Sequence, residues 1–430
     1  MTNLLFTIDE NRAKSASGFD ETFLWTRLGK STFTGALDPH LTSFGPVRQE
    51  NIDFVRIALA VFSADRSVHR RARGADWNAR EFNLTVEVGN PAAWQKYATE
   101  LAETVGFLTG DRWSFTFTQG DEAAAVGLEL NEVTPSATVL LSGGADSAAG
   151  ALLTALNLDK GATLQLISHF SATCISPFQK DLAKRIRAAA PDITVIPRQT
   201  NLNRTAKRLN GTSFKSEPSS RSRSLLFLSL GLASAERSGQ PLQIPENGFA
   251  SLNPPLGPER RGSLSTHTTH PRFLADLQDV LTTVGAHGVI QNPFQHLTKG
   301  QMFSLVLEEI GNDRASEYLG ATNSCAHTDA RYSGVAPGSS CGVCFGCIVR
   351  RASFDAAGLS DPTPYLSIDP ADRYADFVRS KSIIEAMFDF ALNDPKPRMV
   401  MKMSLPKSYP PGEALALCRA GVNELRAFLE

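Results

Sequence analysis

The stretch 137–153, ATVLLSGGADSAAGALL, constrains the fold more than any other part of the chain. Val139, Leu140 and Leu141 form an apolar run that reads as a buried strand. Ser142, Gly143, Gly144, Ala145, Asp146 and Ser147 interrupt it, and small helix-compatible residues follow. A strand, a glycine turn and a helix in that order aim backbone N–H groups and the positive end of a helix dipole at an anion. Two adjacent glycines let the main chain approach a phosphate closely, and Ser142 and Ser147 add hydroxyl donors. Asp146 suits orienting the loop or holding Mg2+ better than acting as a base. The loop lacks the Walker lysine and is not G-x-G-x-x-G, and cations from farther along the chain are the candidates to neutralise a phosphate held there.

From residue 137 onward, strands and helices alternate. The pattern predicts a helix over 145–156, a second strand over 162–170, a helix over 176–190 and a third strand over 192–197. A long apolar helix over 219–239, with serines available as its N-cap, leads to a fourth strand over 241–245, a helix over 272–285 and a fifth strand over 288–294. Short buried strands alternating with helices predict an α/β fold with a doubly wound parallel sheet, whose ligands sit at the carboxyl ends of the strands. Residues 1–134 differ. FVRIALAVFSAD (54–65) and EFNLTVEV (81–88) read as strands, AAWQKYATELAETVGFL (92–108) as a helix, and RWSFTFTQ (112–119) as an edge or half-buried strand. All four tryptophans fall there, which suggests a packed α+β core. The expected division is an accessory or docking domain over 1–134, an α/β domain over 135–360 and a mostly helical extension over 361–430.

The near balance of 43 basic and 44 acidic residues excludes a globally basic nucleic-acid binder. The run HRRAR (69–73) reads as a solvated face more readily than as a partner patch. MTNLLFTIDENRAKS lacks the apolar core of a signal peptide, and no run of 18 apolar residues occurs, so the expectation is a cytoplasmic protein without a membrane span. Four of the six cysteines, Cys325, Cys341, Cys344 and Cys347, lie within 23 residues. C-x2-C-x2-C with an earlier fourth thiol suits a closed, structural Zn2+ site. Arg350 and Arg351 are ambiguous between packing on that loop and contacting phosphate.

SGGADS resembles the PP-loop of the N-type ATP pyrophosphatases, which cleave ATP to AMP and pyrophosphate while adenylating an oxygen nucleophile. Together with Cys341-Gly342-x-Cys344-x-x-Cys347-x-x-Arg350, Phe354 and Ala357-Gly358, it resembles the 7-cyano-7-deazaguanine synthase (QueC) family over residues 137–358. RSRSLLFLSLGLASAE resembles the family helix through Arg223, Phe227, Leu228 and Ser229, and NPFQHLTKGQMF resembles a family stretch that places Lys299 near the phosphates. The family's Arg-Asn is Arg223-Ser224 here. Its substrate-reading segment is replaced by PENGFASLNPPL and STHTTHPRF, and both chain ends lie outside it. In these departures the chain is similar to the QueC-like members of anti-phage operons, the QatC type of the Qat system.

The resemblance implies a 7-carboxy-7-deazaguanine substrate, ATP, Mg2+ and Zn2+. It implies an acyl-adenylate captured by an amine, either ammonia or the N-terminus of a partner protein encoded in the same defence operon. Ser142, Asp146, Ser147, Arg223 and Lys299 become the expected catalytic set. Ser142 to Ser147 and His169 would hold ATP, although His169 suits a core or capping role equally. Glu246 and Asn247 would contact the substrate, and His267 and His270 would either do so or lie exposed in a loop. Nucleic acid is not required, and a homodimer is left open. Rival readings are a tRNA-modifying PP-loop enzyme and a non-catalytic nucleotide-binding scaffold.

Overall fold

A computed structural model describes residues 1–27, 29–70, 79–122, 133–170, 173–218, 220–254, 267–326, 334–336, 338–368 and 374–430. Trp77, residues 71–73 of the basic run, residues 123–132 of the expected linker, and residues 255–266, which end one altered segment and begin the other, lie outside the described residues.

The N-terminal stretch runs β1 (Thr2–Thr7), α1 (Glu10–Ser15), β2 (Glu21–Leu24), β3 (Phe33–Thr34), α2 (Gln49–Ser67), β4 (Glu81–Val88), α3 (Pro91–Lys96), α4 (Ala98–Thr109) and β5 (Arg112–Gln119). Four of these strands form a sheet of order β2-β1-β4-β5 with every pairing parallel. β5 is its edge strand, and its burial alternates as the sequence predicted. FVRIALAVFSAD is a correction: it lies inside the helix α2, where nearly every residue is buried. An apolar run surrounded by protein on all sides carries no face-specific period, so periodicity alone cannot separate strand from helix there. Its polar side chains are satisfied instead of exposed. Asp53 accepts from the N–H groups of Gly89 (2.7 Å) and Asn90 (2.9 Å), and Asp65 pairs with Arg80 at 2.5 Å.

The chain continues through β6 (Ala137–Leu140), α5 (Ala145–Leu156), β7 (Thr163–His169), α6 (Ser176–Ala189), β8 (Thr194–Thr200) and β9 (Asn203–Arg204). Next come α7 (Arg223–Ala235), β10 (Leu242–Gln243), α8 (Gly248–Leu252), α9 (Pro271–Val284) and β11 (Ile290–Gln291). Then follow α10 (Lys299–Ile310), α11 (Asn312–Gly320), α12 (Phe345–Ala356), α13 (Ala375–Lys381), α14 (Ile384–Ala391), α15 (Pro397–Val400) and α16 (Pro411–Leu429). A second sheet has the order β11-β10-β6-β7-β8. β6, β7 and β8 are neighbours joined through α5 and α6, the crossover that parallel strands need. Every residue of β6 and β7 is buried, as in a sheet covered on both faces. The strand order turns at β6, with β7 on one side and β10 on the other. Ligands bind beyond the carboxyl ends of strands at such a turning point.

Two compact units emerge. The first comprises Met1–Thr138, Thr200–Leu242 and Arg261–Gln291; the second comprises Val139–Gln199, Gln243–Arg260 and Asn292–Glu430. The first break lies four residues beyond the expected cut at 134, but the later segments interleave instead of following one another. Residues 361–430 join the second unit, where α16 shares one apolar cluster with Phe249, Ile348, Val349 and Met387. Among the described residues no helix is long and apolar enough to cross a membrane.

Candidate active site and metal centre

The loop after β6 adopts the expected turn. Gly143 has φ +95°, a conformation that favours glycine. Gly144 is the N-cap of α5 and makes no side-chain cap bond. The two loop serines fold inward. Their hydroxyl oxygens lie 2.9 Å apart, Ser142 N donates to Ser147 Oγ (3.1 Å), Gly144 N donates to Ser142 Oγ (3.2 Å), and Ser147 Oγ donates to the Gly144 carbonyl (3.0 Å). Gln179 of α6 ties this loop to the end of β7, donating to the carbonyls of Ser142 (3.0 Å) and His169 (3.3 Å). His169 is buried there, the last residue of β7.

Asp146, in the first turn of α5, is the hub of the charged site. Lys299 Nζ lies 2.8 Å from its Oδ2, with both side chains nearly buried. Asn247 Nδ2 donates to Asp146 Oδ1 (3.4 Å) and to Glu246 Oε1 (3.2 Å), bridging the two carboxylates. Asn292, just beyond β11, clamps the Glu246 main chain from both sides: its Oδ1 accepts from Glu246 N (3.3 Å) and its Nδ2 donates to the Glu246 carbonyl (2.8 Å). Burial, and then the neighbouring Asp146 carboxylate, hold Glu246 well above the ordinary carboxylate range. Lys299 begins α10 behind the N-cap Thr298. A cation at a helix N-terminus is opposed by the dipole, so Asp146 supplies the compensating charge. Glu246 and Asn247 follow β10 by only a few residues, and α5 packs close against the intervening Pro245. A Cβ on Gly150 would fall 2.2 Å from the Pro245 ring.

The structure therefore brings together Ser142, Asp146, Ser147, Glu246, Asn247 and Lys299 in the second unit. Arg223, His267 and His270 belong to the first unit. Arg223 is the exposed first residue of α7. The N-cap, Ser222, uses its hydroxyl on Asp65 (2.8 Å) and makes no cap bond to its own helix. His270 is the buried N-cap of α9 and accepts from Arg272 N (3.2 Å). His267 stacks on Phe107 at 4.3 Å, and its Nδ1 lies 2.8 Å from the Phe107 carbonyl. Gln179 and Asn292 were not anticipated. Asn292 had a faint signal, an asparagine at the carboxyl end of a strand; a glutamine inside a helix such as Gln179 has none.

Cys325, Cys341, Cys344 and Cys347 converge with their Sγ atoms within 4.8 Å of one another, and Cys341 and Cys347 are 3.9 Å apart. Cys341 Sγ accepts from the N–H groups of Val343 (3.5 Å) and Cys344 (3.3 Å), the turn that presents a thiolate to a metal. Gly342 has φ +84°, and a Cβ there would strike Ser367 Oγ at 2.1 Å. Hydrogen bonding to Cys325 first, then to the other thiols, pulls Cys344 strongly down and pushes Cys347 up; four thiolates this close would repel one another, a repulsion that a bound cation offsets. Four sulfurs about 3.8 Å apart are what tetrahedral Zn–S bonds of ~2.3 Å require. The set fits Zn2+, which would supply a fixed cross-link and no chemistry. Arg350 resolves as packing: it is buried and donates to Thr322 Oγ1, the Leu319 carbonyl (2.8 Å) and Thr363 Oγ1 (2.7 Å). The cysteine loop also reaches the glycine loop. Next to Cys325, Ser324 Oγ accepts from Ala145 N (3.5 Å), and Asn323 N donates to the Gly143 carbonyl (2.9 Å).

No family model matches the chain. Nor does a solved structure. Curated relatives match part of it. The chain is 35% identical over 150 residues to the 7-cyano-7-deazaguanine synthase of Novosphingobium aromaticivorans, covering 33% of this chain and 54% of that protein. It is 34% identical over 145 residues to the enzyme of the same name from Psychrobacter cryohalolentis, covering 34% and 49%. For the Magnetococcus marinus protein of that name the identity is 32% over 150 residues, covering 33% and 55%. The chain spans about half the length of the curated relatives it matches.

Proposed function

We propose that the chain is an ATP-dependent, adenylate-forming enzyme that activates the carboxylate of 7-carboxy-7-deazaguanine and transfers the acyl group to an amine. The observation that carries this reading is the buried Lys299–Asp146 pair set directly on the SGGADS loop, in a chain whose curated relatives are named 7-cyano-7-deazaguanine synthase. It supplies the cation that the loop itself lacks.

A substrate carboxylate oxygen attacks the α-phosphorus of ATP, and the bond to the β-phosphate bridging oxygen breaks. Pyrophosphate departs, cradled by the loop hydroxyls of Ser142 and Ser147 and the N-terminus of α5. Lys299 offsets the charge that builds on the transferring phosphate. Asp146 would be an oxygen donor for Mg2+. The amine then attacks the acyl carbon, AMP leaves with its oxygen, and the amine sheds one proton. Glu246, whose proton affinity is raised by burial and by Asp146, is the group proposed to take that proton. Cys325, Cys341, Cys344 and Cys347 would hold Zn2+, which would fix residues 323–325 against the loop.

About two thirds of the chain lies outside the aligned stretch, which supports a protein amine presented by a partner in a Qat-type defence system over free ammonia. The test is incubation with ATP and 7-carboxy-7-deazaguanine, with and without ammonium or operon-encoded partners. Pyrophosphate release and product masses are followed. Substrate-dependent pyrophosphate is expected, and its absence under every condition overturns the reading. A mass gain on a partner selects the protein acceptor, whereas a nitrile product selects the ammonia-using synthase.

A further inference from the structure

The C-terminal helix α16 lies outside every motif discussed above, yet it backs both arms of the Asp146 site. On one arm, a Cβ on Gly421 would fall 2.5 Å from the Phe249 ring, and one on Gly248 would fall 2.6 Å from Leu417. Gly248 directly follows Asn247, whose side chain caps α8 by accepting from Ala250 N (2.8 Å). On the other arm, Glu424 of α16 reaches the start of α10. Its carboxylate accepts from Thr298 Oγ1 and from Gly300 N (3.3 Å), the residues on either side of Lys299. A Cβ on Gly300 would lie 2.5 Å from Glu424 Oε1, so the missing side chain is what admits the carboxylate.

Helix capping alone does not account for Glu424. Thr298 and Gln301 already form a complete capping box at this terminus. Glu424 is largely buried, and burial pushes its carboxyl above the ordinary range, a cost that an apolar residue would not incur. What the carboxylate adds is an anchor for the two residues flanking Lys299, made from a separate helix.

We propose that Glu424 is a positioning residue that fixes the start of α10 so that Lys299 stays against Asp146, making the C-terminal helix a working part of the phosphate site. This rests on the reading of Lys299 and Asp146 as the catalytic pair, but one arm of its test needs no turnover. The full chain carrying Glu424→Ala or Glu424→Gln is pulse-labelled with an amine-acylating reagent, and Lys299 modification is followed by mass spectrometry. In parallel, kcat and KM for ATP are read from pyrophosphate release. Glu424→Ala is expected to raise Lys299 labelling about tenfold and to lower kcat about tenfold with little change in KM. Glu424→Gln keeps an acceptor for Thr298 and is expected to recover most of both. If Lys299 stays protected in both variants while only their melting temperatures fall, Glu424 merely stabilises the fold and the proposal is overturned. Failure of the wild-type chain to release pyrophosphate would instead strike the proposed function, leaving the labelling result to decide this one.

Discussion

Lys299→Met is the most informative single perturbation. It removes the ammonium 2.8 Å from Asp146 while keeping most of the apolar stem. At that separation and an effective dielectric of 20, the gross attraction is about 6 kcal/mol. Part of it is returned because the lysine no longer has to be desolvated, but Asp146 stays nearly buried beside Glu246 with Asn247 as its remaining neutralising dipole. Breaking one side of a buried pair costs about 3–5 kcal/mol, which for a unit of this size corresponds to a melting shift of roughly 10 °C. The four tryptophans all fall within Met1–Thr138, so their fluorescence reports the wrong unit. Circular dichroism, with hydrogen exchange at α5 and α10, is the suitable assay. Losing Lys299 also removes the charge that holds Glu246 down, so the deficit should shrink in acid as Glu246 is neutralised. Lys299→Met/Asp146→Asn should regain much of the loss. A Lys299→Met protein within 0.5 kcal/mol of wild type at pH 7 (about the coupling measurable between distant sites), or a double variant that adds the two losses, would refute the buried pair.

Three further outcomes are expected. Glu246 is held above its ordinary 4.5 in the folded state, so the folded protein keeps a proton that the unfolded chain releases. Its stabilising contribution is full below the unfolded value and is lost as pH rises through the folded one, and Glu246→Gln should flatten the resulting decline in denaturant melts as pH is raised above 4.5. Asp65 behaves oppositely. Burial pushes its carboxyl up, but Arg80 and the hydrogen bonds from Ser222 and Arg221 N hold it below 3.8, so its contribution is present above that value and fades in acid. Asp65→Asn should cost about 3 kcal/mol in the first unit, and here tryptophan fluorescence is the right probe. For the cysteine centre, a colorimetric chelator should release one zinc per chain on denaturation. Cys344→Ser should abolish that zinc and lower hydrogen-exchange protection at Val335, Val343 and Tyr365, which pack around the centre; a metal-free wild type would contradict the assignment.

The features legible in the residue order are those whose chemistry is local. Ser142–Ser147 announce a glycine turn because strand, glycine pair and helix start are contiguous, and that strand–turn–helix forms as read. The thiols of Cys341, Cys344 and Cys347 are adjacent in sequence, so a short turn must bring them together, and it does. α2 escaped recognition because total burial erases the periodicity by which helix and strand are told apart.

What the order of residues could not decide is which distant side chains share a site. Asp146, Glu246 and Lys299 are separated by 100 and 53 positions. They meet because β6, β10 and β11 are neighbours in one sheet, and Asp146, Glu246 and Lys299 follow these three strands in turn. For His267 and His270 the residue order left substrate contact and an exposed loop position evenly open; in the fold His267 stacks on Phe107 and His270 caps a helix. Glu424 carried no sequence signal, since a glutamate in a terminal helix is ordinarily a solvated one. Local backbone geometry is written in neighbouring residues, whereas burial and charge pairing belong to whichever segments the tertiary fold sets side by side.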